Sequence, residues 1–307
     1  MKHMLLLCLA ASAFTGCGQT KPDSNTDSSG DLSGPPKIVV STWVLKELTE
    51  GLVAGGAEVV CLETSLKAQR LSDSQISELQ SADLTIVNGA GMEPWLQTVS
   101  LPRSRLLDST ASSSAELLQA DGSITHQHGP NGPKDPAGLI HSTWLSPRML
   151  LRQCETIKKR LSTMDIDGTR VSEGHAANEL RISQLTAKIE ALQRVSLTVL
   201  TSSTETGWLI HELKWKQRVI GVDYMDFTEA SAAEQKLQPY MQARLVLTTD
   251  LEAEATIGGL SAVQIDLCLD SKKNVSLFDR LEGNLTRLEE AVGVLSGEPS
   301  RSSETSE

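Results

Sequence analysis

Short apolar runs alternate with helix-patterned segments from residue 37 onward, and no other feature restricts the fold of this chain so strongly. Residues 37–41 (KIVVS) read as a buried strand, 43–53 as a helix, 58–62 as a strand, 72–80 as a helix and 84–87 as a third strand. Strands this short and this uniformly apolar are buried on both faces, which points to a parallel sheet covered by helices on each side. A tight turn, Asn88-Gly89-Ala90-Gly91, follows the third strand; its glycine spacing is not that of a phosphate-cradling loop. Residues 111–138 are polar and rich in Gly and Pro, and read as a loop. Helices follow over 147–164 and 170–193, the second carrying Leu180, Ile182, Leu185, Ile189 and Leu192 at helical spacing. The alternation then resumes, with strands at 195–201, 218–222, 245–248 and 262–269 and helices at 208–213, 229–241 and 277–295. The pattern predicts an α/β fold of two lobes, each a mainly parallel sheet flanked by helices, joined by one long linking helix. The expected division is 37–165 for the first lobe, 166–194 for the linking helix and 195–296 for the second lobe. Residues 297–307 form a Ser/Glu-rich tail expected to be disordered.

The N-terminus has a different character. Lys2 and His3 precede an apolar run over residues 4–14 that is too short to span a bilayer and reads as a secretory signal. Phe14-Thr15-Gly16-Cys17 resembles a bacterial lipobox, with Phe in place of the usual Leu. Residues 1–16 are then a lipoprotein signal peptide and Cys17 the lipidated first residue, leaving the protein extracytoplasmic and membrane-anchored. Residues 17–36 continue with Ser, Asp, Gly and Pro, a composition that cannot bury a core and suits a flexible tether. With Cys8 in the signal and Cys17 acylated, Cys61, Cys154 and Cys268 remain, an odd set without CxxC spacing. No disulfide framework or thiolate metal site is expected from it.

Thirty-nine acidic against 28 basic residues give a net charge of -11, which repels nucleic acid and anionic lipid and tolerates a cationic ligand. No catalytic constellation stands out. Ser202 and Ser203 lack a GxSxG setting, and Glu252 and Glu254 lie in a polar stretch that reads as an exposed helix start. A non-enzyme is expected.

Several strings carry a family resemblance. Residues 81–96 (SADLTIVNGAGMEPWL) resemble the "ADLVVYNGAGLEPWL" segment of the zinc- and manganese-specific solute-binding lipoproteins of ABC importers. Trp144-Leu145-Ser146-Pro147, His175-Ala176-Ala177-Asn178, Glu229-Ala230-Ser231 and the helix around Asn284, Leu285 and Leu288 are similar to further family strings, so that the likeness spans about residues 37–295. The resemblance implies that the linking helix is rigid, and that the chain is a monomeric binding protein that delivers zinc or manganese, held by three imidazoles and a carboxylate, to a membrane permease. In this chain Lys67 stands where the first histidine is expected. Ser142 stands at the second, with His141 one position away, and Ser203 at the third. Asp270 matches the carboxylate, with Asp266 as the alternative register. His126 and His128, in the loop, form a His-x-His pair that either chelates metal or is simply solvated. The expected site therefore comprises His141, Asp270, His126 and His128, with Lys67, Ser142 and Ser203 lining the cleft. Two alternatives accompany this reading: the same fold binding a non-metal solute, with a Lys67–Asp270 pair replacing the ion, or a surface adhesion or scaffold protein.

Overall fold

A computed structural model of the chain describes residues 34–64, 68–120, 138–219, 243–249, 256–257, 260–271 and 275–296. The expected signal peptide, Cys17, almost all of the tether, Lys67, His126, His128, the 229–241 helix, Glu252, Glu254 and the 297–307 tail lie outside the described residues.

The first sheet contains β1 (Lys37–Val40), β2 (Glu58–Cys61), β3 (Leu84–Val87) and β4 (Leu106–Asp108), all parallel, in the order β2-β1-β3-β4. Ile38, Val39 and Val40 are wholly inaccessible, which explains the uninterrupted apolar run; each such side chain contributes about 1.5–3 kcal/mol of burial. The helices here are α1 (Trp43–Val53), α2 (Asp73–Ser81) and α3 (Pro147–Leu161). Each starts at a side chain that accepts an otherwise unpaired backbone N–H. Thr42 caps α1, Ser72 and Gln75 form a reciprocal capping box on α2, and Ser146 caps α3 just before Pro147. The second sheet contains β5 (Thr198–Thr201), β6 (Lys216–Val219), β7 (Leu245–Thr248), β8 (Thr256–Ile257) and β9 (Leu260–Gln264), in the order β6-β5-β7-β9-β8. Only β8 runs antiparallel, against β9. With it come α5 (Gly207–Leu213) and α6 (Leu277–Ser296).

Between the sheets in chain order lies α4 (Gly168–Leu192), whose buried Val171, Asn178, Ile182, Leu185, Ile189 and Leu192 face the core. It packs on α1 and α3 of the first lobe and on α5 and α6 of the second. At the α1–α4 contact a Cβ on Gly174 would overlap the carbonyl oxygen of Gly51, so the two backbones touch with nothing between them. Asn178 donates to Leu48 O there (3.3 Å). One hydrophobic cluster runs through both lobes, from Trp43, Leu48 and Met149 to Trp208, Leu245 and Leu288. The residual void at the lobe junction, lined by Trp144, Leu185, Leu209 and Leu285 among others, is about 10 Å³, the lower limit for one water.

Candidate functional site

In open parallel sheets, ligands bind beyond the carboxyl ends of the strands at the point where the strand order reverses. The order β2-β1-β3-β4 reverses between β1 and β3, and the order β6-β5-β7-β9 reverses between β5 and β7. Ser41 and Asn88 therefore stand at the switch point of the first sheet, and residues 202–206 at that of the second.

At the first switch point the chain leaves β3 through three consecutive residues with positive φ, Gly89 (79°), Ala90 (52°) and Gly91 (75°). This turn brings Glu93 back beneath the strand end. Its carboxylate accepts hydrogen bonds from Ser41 Oγ (2.7 Å), Asn88 N (2.8 Å) and Gly89 N (3.0 Å). Burial nevertheless pushes the Glu93 carboxyl up to about 7, against the three donors that favour its charged form. The sign follows from linkage: the folded state binds this proton more tightly than the unfolded chain. Glu93's contribution is full below the ordinary 4.5 and is lost as pH rises through about 7. Between pH 5.5 and 8 the wild type is expected to lose about 2 kcal/mol at this position. Urea unfolding at both pH values, beside Glu93→Gln, checks this; equal pH slopes in the two proteins would refute it.

Asn88 passes the order of this turn to the segment before α3. Its Nδ2 donates to His141 O (3.0 Å), and its Oδ1 accepts from Thr143 Oγ1 (3.2 Å) and Gln153 Nε2 (3.0 Å). His141 and Ser142 are thereby presented to the second lobe, where Glu205 meets them. One carboxylate oxygen of Glu205 accepts from His141 N (3.1 Å), Ser142 N (3.0 Å) and Ser142 Oγ (2.7 Å), and the other lies 3.0 Å from His141 Nδ1. Burial opposes the charge on Glu205, but the hydrogen bonds from His141 and Ser142 outweigh it and hold the carboxyl below its usual range. An ionised Glu205 makes Nδ1 the protonated nitrogen of the buried His141 ring, whose Nε2 lies 4.0 Å from where a Cβ on Gly91 would be. Ser203 caps the turn that carries Glu205, accepting from Glu205 N (3.2 Å).

The expected carboxylates have a different partner. Arg280 on α6, its side chain 2% exposed, donates from Nε and Nη2 to Asp266 (2.8 and 2.6 Å) and from Nη2 to Asp270 Oδ1 (2.9 Å). Its guanidinium lies 4.9 Å from the ring centre of Trp43 in the first lobe. Both registers weighed from the sequence thus end on one arginine. The structure brings His141 and Ser142 together on Glu205, and Asp266 and Asp270 together on Arg280. Among the described residues no group of three or more His, Cys, Asp or Glu side chains could hold a metal ion. Glu205 and Arg280 are the site residues the sequence reading missed. The available signals were an acid among small neutral residues in TSSTETGW and an arginine four positions before Asn284 on an apolar helix.

Two parallel-sheet lobes with polar clusters at facing switch points define a solute-binding protein of the two-lobed α/β class. The profile of the family described as zinc-uptake complex component A, periplasmic (ZnuA), matches residues 38–247, and the chain belongs to that family. Its members are extracytoplasmic metal-binding components of ABC uptake systems, not enzymes. Solved structures with the same fold include the Zn(II)-bound ZnuA-like domain of Streptococcus pneumoniae AdcA, with 17% identity, a TM-score of 0.67 and coverage of 84% of this chain and 99% of that one. The metal-dependent lipoprotein YcdH of Bacillus subtilis gives 17%, 0.67, 83% and 99% for the same quantities. The solute-binding protein FpvC of Pseudomonas aeruginosa in complex with Mn2+ gives 15%, 0.63, 84% and 97%. A search of curated proteins finds no match.

Proposed function

We propose that this chain is the lipid-tethered, monomeric binding component of an ABC importer, anchored through Cys17, and that it delivers zinc or manganese to its permease from a reduced donor set in which His141 supplies the imidazole. The observation that carries the reading is the His141–Glu205 contact. A carboxylate on one ring nitrogen fixes the tautomer and leaves the other, which lies beside the Gly89–Gly91 turn, as the lone-pair donor, the arrangement typical of metal-ligating histidines. Asp270, whose side chain is 69% exposed, and the loop residues His126 and His128 complete the proposed donors. In this proposal Lys67, Ser142 and Ser203 are the sequence positions that stand in place of the family's histidines. The relatives bound to Zn(II) and Mn2+ support the choice of ion. Among the described residues no helix is long and apolar enough to cross a membrane, so a membrane attachment in this proposal rests on the N-terminal anchor.

Calorimetry with zinc and with manganese, on the wild type and on His141→Ala, tests the proposal. The expected result is micromolar or tighter binding, about -8 kcal/mol, weakened at least about tenfold by the substitution. Absence of heat with both ions, or binding indifferent to His141→Ala, would overturn it.

A further inference from the structure

Among the described residues, every hydrogen bond to the Glu205 carboxylate comes from residues 141–142, on the far side of the lobe boundary. Glu205 itself is fixed within the second lobe by the Ser203 cap, and residues 141–143 are fixed within the first by Asn88. The two lobes are thus joined by a carboxylate seated against two consecutive backbone N–H groups, a serine hydroxyl and an imidazole. Four such bonds to one ionised acceptor make a strong contact, because hydrogen bonds to charged groups are about twice as strong as neutral ones. The packing around it agrees. Trp208 Nε1 donates to Ile140 O (3.0 Å) and Trp144 Nε1 to Leu267 O (2.9 Å), while Ile140 fills the space where Gly207 would carry a Cβ. On the opposite charge, Arg280 joins Asp266 and Asp270 of its own lobe and stacks on Trp43 of the other. The Glu205 carboxylate and the Arg280 guanidinium are thus each held by groups of the chain itself.

We propose that Glu205 is a built-in tether between the lobes, holding them in one arrangement whether or not a cation is loaded. Cargo binding then does not draw the lobes together, and the face offered to a membrane partner is the same in the empty and loaded protein. This inference does not depend on which cargo is bound, since the contacts it rests on are made by the chain alone.

Hydrogen exchange read by mass spectrometry, with small-angle scattering, tests it on the full chain in chelator and in excess zinc. Wild type is expected to protect the peptide spanning residues 139–146 equally in both conditions, within about twofold, with an unchanged radius of gyration. Glu205→Gln, which puts an amide N–H among donors, is expected to speed exchange of that peptide by about tenfold or more in chelator. Exchange of the β1 and β3 peptides should stay as in wild type. Should Glu205→Gln fold poorly, Ser142→Ala removes one of the four bonds and is expected to give a smaller acceleration at the same peptide. A wild type that becomes compact or newly protected at 139–146 only with zinc would overturn the tether, as would variants that exchange like wild type. Failure of the cargo reading appears separately, as absent heat in calorimetry.

Discussion

Truncating Trp208 to alanine is expected to destabilise the protein by about 4 kcal/mol, within the usual cost of emptying a buried aromatic site. The side chain is wholly inaccessible and lies in the cluster shared by both lobes, with its ring edge-on to His211 at 6.3 Å. Its loss leaves two separate defects. One is a cavity within the shared cluster that its neighbours close only in part. The other is a buried Ile140 carbonyl without its donor, which accounts for about 1–3 kcal/mol of that total. Thermal unfolding followed by circular dichroism should show a midpoint lowered by about 10 °C. A shift of only one or two degrees would mean that the lobes do not share the core described above.

The second large effect is at Arg280. Arg280→Ala leaves Asp266, with its side chain 15% exposed, facing an empty site that held its cation, and removing one member of a buried pair costs about 3–5 kcal/mol. The stack on Trp43 is lost as well. Neutralising the Asp266 carboxylate should return part of this, so the double variant Arg280→Met with Asp266→Asn is expected to be more stable than Arg280→Ala. The asparagine retains an oxygen for Cys268 N, which now donates to Asp266 Oδ1 at 2.8 Å. Chemical denaturation of the three proteins decides the matter. A cost below about 1 kcal/mol for the single variant would show that the pair behaves like a solvent-screened surface contact.

The strands of the two sheets were legible because both faces are covered, so β1, β3, β5 and β7 read as apolar runs. Edge strands were harder to see. The short Leu106–Asp108 strand, a sheet edge with partly exposed residues, was missed, and Lys216–Val219 begins two residues before the expected 218 because its first residues are polar. Further along, Leu260–Gln264 ends before Ile265 and Leu267, although the apolar run continues, since the backbone turns and reaches a φ of 55° at Cys268. The candidate site was legible only by halves. His141, Ser142 and Asp266 could be found from local strings, but Glu205 lies 64 residues from His141 and Arg280 lies 14 from Asp266. A buried charge requires a partner, yet the rule that demands one does not say which distant residue supplies it. Without its fold, Glu205 reads as an ordinary acid opening a short helix.

The contact between Gly51 and Gly174 bears on how α4 could ever move. A slide along its own axis by one turn, about 5.4 Å, would bring Val171 or Asn178 opposite Gly51 in place of Gly174. Both are larger than a residue whose missing Cβ already leaves no room, so the helix is keyed to a single axial position and cannot act as a ratchet between the lobes.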